Sequence, residues 1–364
     1  MTSYDFAVVG AGIAGASLAA ELAAHASVLL LEGEDAPGYH ATGRSAAFWE
    51  ECYGGPEIVP LTLASGPYLR DHGFLSRRGA LYIGRESERD LLDGFEARFG
   101  GTGANFARLE REALAQIIPG LRPEWTGAIW EPGCADIDVA GLHQHYLALA
   151  RQRGAELVTR ARVSELRSKD GVWCLACESG RTFAAATVVN AAGAWADWLA
   201  QRAGISPLGI QPFRRTVAQL RTDPPPPADL PLVLDIAGRF YFKPEAGRLW
   251  LSPHDETPSD PCDAAPEELA MAEAIDRFEQ VVDWRIAAVE RRWAGLRSFA
   301  PDRLPVYGAD PRSDGFAWFA GQGGYGIQTA PAAARLTAQL LLGLERDSMT
   351  RDLDAGLYAP DRLI

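Results

Sequence analysis

The six residues Gly10-Ala11-Gly12-Ile13-Ala14-Gly15 have the types and spacing to hold a pyrophosphate. In a G-x-G-x-x-G turn the first glycine permits the tight bend and the second lets the backbone approach the phosphates. The third lets the following helix pack close to its strand. The free N–H groups and partial positive charge at that helix's N-terminus add attraction. Glu32 stands where a second strand would end, and its carboxylate can accept from both ribose hydroxyls. It would repel a 2′-phosphate, which argues against NADP. To position these groups the chain must form a strand over 5–9, a helix over 16–24 and a strand over 27–31. The apolar runs at those positions suit one compact βαβ unit.

Two further segments favour FAD over NAD. The loop Gly38-Tyr39-His40-Ala41-Thr42-Gly43-Arg44-Ser45-Ala46-Ala47 follows directly, where an NAD dehydrogenase would normally proceed to another βαβ unit. Thr42, Arg44 and Ser45 in it can donate to a pyrophosphate or a flavin. Near the other end, a strand over 316–320 leads into Gly321-Gln322-Gly323-Gly324-Tyr325-Gly326-Ile327-Gln328-Thr329, and Pro331 opens a helix to about 342. Such a loop brings backbone N–H groups to the pyrimidine end of a flavin, and the helix N-terminus favours its anionic reduced form.

Bulk properties set the class. The chain has 364 residues, 47% hydrophobic and 23% charged, which suits two intimately packed globular domains. A net charge of −13 makes nucleic acid an unlikely partner. The apolar stretch over 6–31 is interrupted by Gly10, Gly12, Gly15, Glu21 and His25, which argues against a membrane span. No basic region precedes it, so no signal peptide is expected and the cytoplasm is the default. The five cysteines suggest no disulfide framework. Cys174 and Cys177 form a C-x-x-C in a β-prone run, with no second pair at zinc spacing, so no metal site is expected.

The sequence resembles the D-amino-acid oxidase superfamily of FAD-dependent oxidoreductases, within it most nearly the bacterial D-arginine dehydrogenases. The likeness runs along nearly the whole chain. It rests on the two glycine loops, Pro37-Gly38-Tyr39-His40, Ala135-Asp136-Ile137-Asp138, Asn190-Ala191-Ala192-Gly193-Ala194-Trp195 and Trp293-Ala294-Gly295-Leu296-Arg297-Ser298-Phe299. It implies an α/β fold in which a Rossmann-like FAD-binding domain (1–50, 141–207, 293–364) is interleaved with a mixed-sheet, α+β substrate domain (51–140, 208–292). It also implies that Val163 touches the adenine through its backbone and that Ala192 and Gly193 pass beside the cofactor. Gly323, Gly324, Tyr325, Gly326, Ile327 and Gln328 would come from the flavin-proximal loop. Covalent relatives hold FAD through a cysteine near the C-terminal domain. None follows Cys262 here, so non-covalent FAD is expected.

The resemblance implies oxidation of a D-amino acid by hydride transfer from Cα to flavin N5, giving an imino acid and then a keto acid and ammonia. Oxidation of glycine, sarcosine or a 2-hydroxy acid is the alternative, and a non-catalytic flavoprotein a third reading. The electron acceptor, quinone or oxygen, is left open. By resemblance Arg297 and Arg215 take the substrate carboxylate, Tyr53 and Tyr241 hydrogen-bond and shield the substrate, and Gln328 joins them. Arg214 and Arg215 are adjacent, so on a strand only one faces inward. Two positions depart from the D-arginine pattern: Phe48 replaces a histidine, and Ala80 a guanidinium-binding glutamate. Glu50 is either a surface acid beside Glu51 or a substitute for the charge missing at Ala80.

Overall fold

The structure, a computed structural model, describes residues 3–46 and 48–364. Its fold is α/β, with two large sheets. The strand Ser3–Val9 lies parallel between Val28–Leu31 and Thr182–Asn190, with Phe6 opposite both Val28 and Thr187. Both faces of these strands are covered, which is why they read as unbroken apolar runs instead of alternating ones. Glu156–Val158 extends the sheet beyond Val28–Leu31, Phe316–Ala320 joins Thr182–Asn190 in parallel, and antiparallel strands finish it.

The helix Ile13–Leu22 starts three residues before the expected 16. The reason lies in Gly15, which sits inside its first turn instead of ahead of it. A Cβ there would come within 1.8 Å of the Gly10 carbonyl oxygen. The helices Val139–Gln152 and Ala330–Leu342 share one apolar core with it. The last one ends at Gly343, whose φ of +65° supplies the left-handed cap.

The second sheet has nine strands, drawn from 80–131, 211–258 and 285–299. Its spine is the antiparallel pair Gln211–Asp223 and Arg285–Phe299. Gln211 still pairs with Phe299, so this sheet runs past residue 293, where the motif reading placed the return to the first layer. One face of this long strand, around Arg297, lines the cleft between the two sheets. A third, three-stranded sheet joins Phe48–Trp49, Leu75–Arg77 and Ala135–Ile137.

Cys174 and Cys177 lie on one antiparallel strand, the first exposed and the second buried, and all five cysteines are free. Among the described residues no helix is long and apolar enough to cross a membrane.

Candidate active site

A continuous cleft of about 260 Å³ runs between the first sheet and the spine of the second. The glycine turn forms its floor. Gly10 has a φ of +104°, and a Cβ there would meet the Ala191 carbonyl oxygen at 2.5 Å. The turn is held from three sides. Glu32 accepts from the Ala11 N–H at 3.0 Å and the Glu34 N–H at 2.9 Å, and Thr42 Oγ1 accepts from the Ile13 N–H at 3.0 Å. The third support, invisible to sequence reasoning, is buried His143, whose Nε2 lies 2.9 Å from the Ala11 carbonyl oxygen. Burial pushes the His143 pKa down, so it is the neutral ring that donates there.

Glu32, Glu34, Arg162 and Val163 line one end of the cleft, with Ala192 and Gly193 along its side. Ser45, Ala46, Gly323, Gly324, Gly326 and Ile327 line the other end, beside Gly295–Ser298. Several expected cofactor residues sit differently. Arg44 lines the wall but donates to Asp263 and to the carbonyls of Ala264 and Ala294, at 3.1 and 3.2 Å, so it ties the second sheet to the loop. Gly15 and Gly43 serve close backbone packing, Gly43 against the Gly38 carbonyl. Tyr325 is buried and its hydroxyl donates to the Arg303 carbonyl. Ala47 lies outside the described residues. Cys262 does line the cleft, so a thiol reaches it from earlier in the chain than the C-terminal position weighed above.

The register of the spine explains the arginines. Arg215 pairs with Gly295 and Phe213 with Arg297, so Arg215 and Arg297 stand diagonally on one face. Arg214 points the other way, to Glu267. Gly295 leaves room opposite Arg215. Arg297 donates to the Tyr53 hydroxyl at 2.6 Å. Arg215 is 5% exposed and donates through Nη2 to Glu256 at 3.1 Å, while its Nε and Nη1 have no partner among the described residues. Burial first, and Arg297 second, push the Arg215 pKa down to about 10. It stays charged at neutral pH, and an anion beside both arginines relieves each cause.

Beyond Arg297 a small pocket of about 20 Å³ is walled by Phe48, Glu50, Tyr53, Leu234, Tyr241 and Gly324. Tyr241 lines the main cleft as well. Gln328 lines neither space. Its amide accepts from the Glu50 N–H and donates to the Glu50 carbonyl, both at 3.2 Å, and donates to Thr62 Oγ1 at 2.8 Å. It is therefore a positioning residue, correcting the expectation of substrate contact. Ala80 is fully buried behind Leu234 and Tyr241. Glu50 faces inward and is 1% exposed.

Burial, with Glu131 nearby, pushes Glu50 well above the usual carboxylate range, and burial pushes Glu131 up to about 7. Both acids hold a proton in the folded chain that the unfolded chain releases at about pH 4.5. Raised folded values mean stability is lost as pH rises from there through about 7. The stability of the wild type relative to Glu50→Gln should fall as pH rises above about 5. A widening advantage in thermal melts would refute the assignment.

The fold and cleft define a dinucleotide-binding oxidoreductase with an anion-receiving end. The family profile described as FAD dependent oxidoreductase (DAO) matches residues 5–340, and the chain belongs to that family. The glycine oxidase of Geobacillus kaustophilus is 29% identical over 370 residues, covering 96% of this chain and 95% of that protein. The crystal structure of glycine oxidase from that organism superposes with a TM-score of 0.84 over all of both chains, at 26% identity. The bifunctional protein ThiO/ThiG of Synechocystis is 27% identical over 94% of this chain, which spans 52% of that longer protein. L-proline dehydrogenase from P. horikoshii shares the fold, with a TM-score of 0.85 at 22% identity. The chain is thus an FAD-dependent oxidoreductase. The cleft suits FAD on its own features, since one continuous space joins the glycine turn and Glu32 to the glycine loop through Gly323–Ile327.

Proposed function

We propose that the protein oxidises the Cα–N bond of a small free amino acid. Glycine and N-methylglycine are the first candidates, with D-amino acids of short side chain next. The observation that carries this reading is the pair Arg215 and Arg297, which stand on one face of the spine and both line the cleft. Paired guanidinium groups suit a carboxylate. The small pocket beyond takes at most a short side chain, and the glycine oxidase relatives support the choice of a small substrate.

Gly10, Gly12, Ile13, Ala14, Glu32 and Thr42 would hold the pyrophosphate and ribose, Val163 the adenine, and the loop through Gly323–Ile327 the ring system. Bound there, FAD supplies the two-electron acceptor. Arg297 and Arg215 fix the carboxylate, Tyr53 positions Arg297, and Tyr241, Phe48 and Leu234 exclude water. The substrate, bound with a neutral amine, loses the Cα hydrogen with its electron pair and then an N–H proton. Water adds to the resulting C=N bond, and the 2-oxo acid leaves with ammonia, or with methylamine when the substrate is N-methylglycine. No side chain has to act as a strong base.

The test is an anaerobic panel of glycine, sarcosine, D-alanine and 2-hydroxy acids, read by loss of the yellow colour. Bleaching by amino acids is expected, with release of ammonia, or of methylamine from sarcosine; bleaching by 2-hydroxy acids alone would overturn the reading. Acid precipitation should release free FAD, whereas flavin kept on the denatured chain would implicate Cys262.

Gly324→Ala gives a second check. The added Cβ would sit 2.1 Å from Tyr53 Oη and 2.9 Å from Arg297 Nη1, forcing that hydrogen-bonded pair apart. The variant should stay yellow and stable while kcat/KM falls about tenfold or more, equivalent to roughly 1.4 kcal/mol. Undiminished turnover would place the substrate elsewhere.

A further inference from the structure

We propose that the Glu50 carboxyl is a substrate-contacting group that selects amino acids carrying an ammonium at the end of a short side chain. The inference rests on the carboxylate anchor of the preceding section and names what the opposite pole of that pocket receives.

Glu50 and Arg297 line the same small pocket, with Phe48 and Leu234 as apolar walls and Ser45, Tyr53, Tyr241 and His254 as its other polar lining. The acid is held in place with unusual care. Both polar groups of its backbone are bonded to the Gln328 amide, which is buried. The Tyr82 hydroxyl donates to Glu50 Oε1. Tyr82 stands on the strand Ala80–Arg85, two residues from Ala80 and therefore on the same face. The second oxygen, Oε2, has no hydrogen-bond partner among the described residues.

Charge points the same way. Glu131 accepts the N–H groups of Glu51 and Cys52, and Glu51 accepts the Asn105 N–H. Among the described residues none of Glu50, Glu51 and Glu131 forms a salt bridge with lysine, arginine or histidine. Two hydrogen-bonded acids thus sit behind a third that faces the pocket. Empty, Glu50 keeps its proton, which costs less than a bare buried carboxylate. An arriving ammonium reverses that preference and gains a desolvated, charge-assisted hydrogen bond.

Size limits the ligand. A space of about 20 Å³ takes little more than one water-sized group. An ammonium on a two-carbon side chain, as in D-α,γ-diaminobutyrate, matches that reach better than a long guanidinium.

The test uses the wild-type holoenzyme and ligands that cannot be oxidised at an α-amine. γ-Aminobutyrate is diaminobutyrate without that amine, and valerate is its neutral isostere. Perturbation of the flavin spectrum gives both dissociation constants. The expected result is binding of γ-aminobutyrate at least tenfold tighter than valerate, and Glu50→Gln should bring that ratio close to one. The same variant should lower the kcat/KM ratio of D-α,γ-diaminobutyrate to D-norvaline by tenfold or more. Equal or tighter binding of valerate to the wild type, or a ratio unmoved by Glu50→Gln, overturns the inference while leaving the carboxylate anchor standing. If neither carboxylate binds, the anchor itself fails and the inference falls with it.

Discussion

Arg297→Met should lower kcat/KM by roughly 30-fold or more, because truncating one partner of a buried charge pair costs about 2–5 kcal/mol. Arg297 has Tyr53 as its hydrogen-bond partner and lines both the cleft and the small pocket. Without it the substrate carboxylate would enter a desolvated space with half its counter-charge. Arg215→Met should produce a loss of the same order, since Arg215 lines the same cleft on the same face of the spine. Arg214→Met is the internal control. It is one residue away on the same strand but faces the other side, where Glu267 takes it, so a change under about threefold is expected. Steady-state kinetics on any amino acid that reduces the enzyme will decide. Equal and small effects at all three positions would show that the carboxylate is not held here. A rise in KM with kcat unchanged would show instead that the arginine grips ground state and transition state alike.

Gly15→Ala should abolish FAD retention. The new Cβ would lie 1.8 Å from the Gly10 carbonyl oxygen and 3.0 Å from its carbon, both backbone atoms of the phosphate turn itself. Neither can rotate aside as a side chain can, so the helix must lift off the turn, at a cost of about 3 kcal/mol or more. Gly12→Ala is the comparison. Its Cβ would meet only Thr42 Oγ1, at 3.1 Å, and a threonine can give way. That variant should fold and keep FAD more weakly. Flavin absorbance relative to protein absorbance, with the melting temperature, separates the two. A yellow Gly15→Ala protein with an unchanged melt would refute the packing role.

The phosphate-binding end was legible because its signal is local. Gly10, Gly12, Gly15 and Glu32 fall within one βαβ unit, and each residue type answers to one steric or hydrogen-bonding need. That only one of Arg214 and Arg215 faces inward was legible too, from strand alternation, while the choice of Arg215 came from the resemblance. What was hidden is long-range. His143 reaches Ala11 from another helix, Glu256 meets Arg215 from a distant loop, and Tyr82 meets Glu50 across two sheets. No periodicity reports such contacts. Gln328 and Tyr325 misled because they stand in a loop of which Gly321–Gly324, Gly326 and Ile327 line the cleft, while these two side chains are buried away from it. Arg44 misled for a related reason, since a conspicuous cation in a phosphate loop can still be consumed by protein carbonyls.

The most direct measurement mixes the oxidised holoenzyme with glycine under anaerobic conditions and follows the loss of yellow colour, once with ordinary substrate and once with deuterium at Cα. The account predicts full bleaching, release of one ammonia per flavin, and a rate slowed several-fold by the deuterium, because the Cα–H bond breaks in that step. If glycine fails, the same comparison runs on D-alanine and D-α,γ-diaminobutyrate. Flavin left oxidised by every amino acid carrying a free carboxylate, or bleached without ammonia, would contradict it.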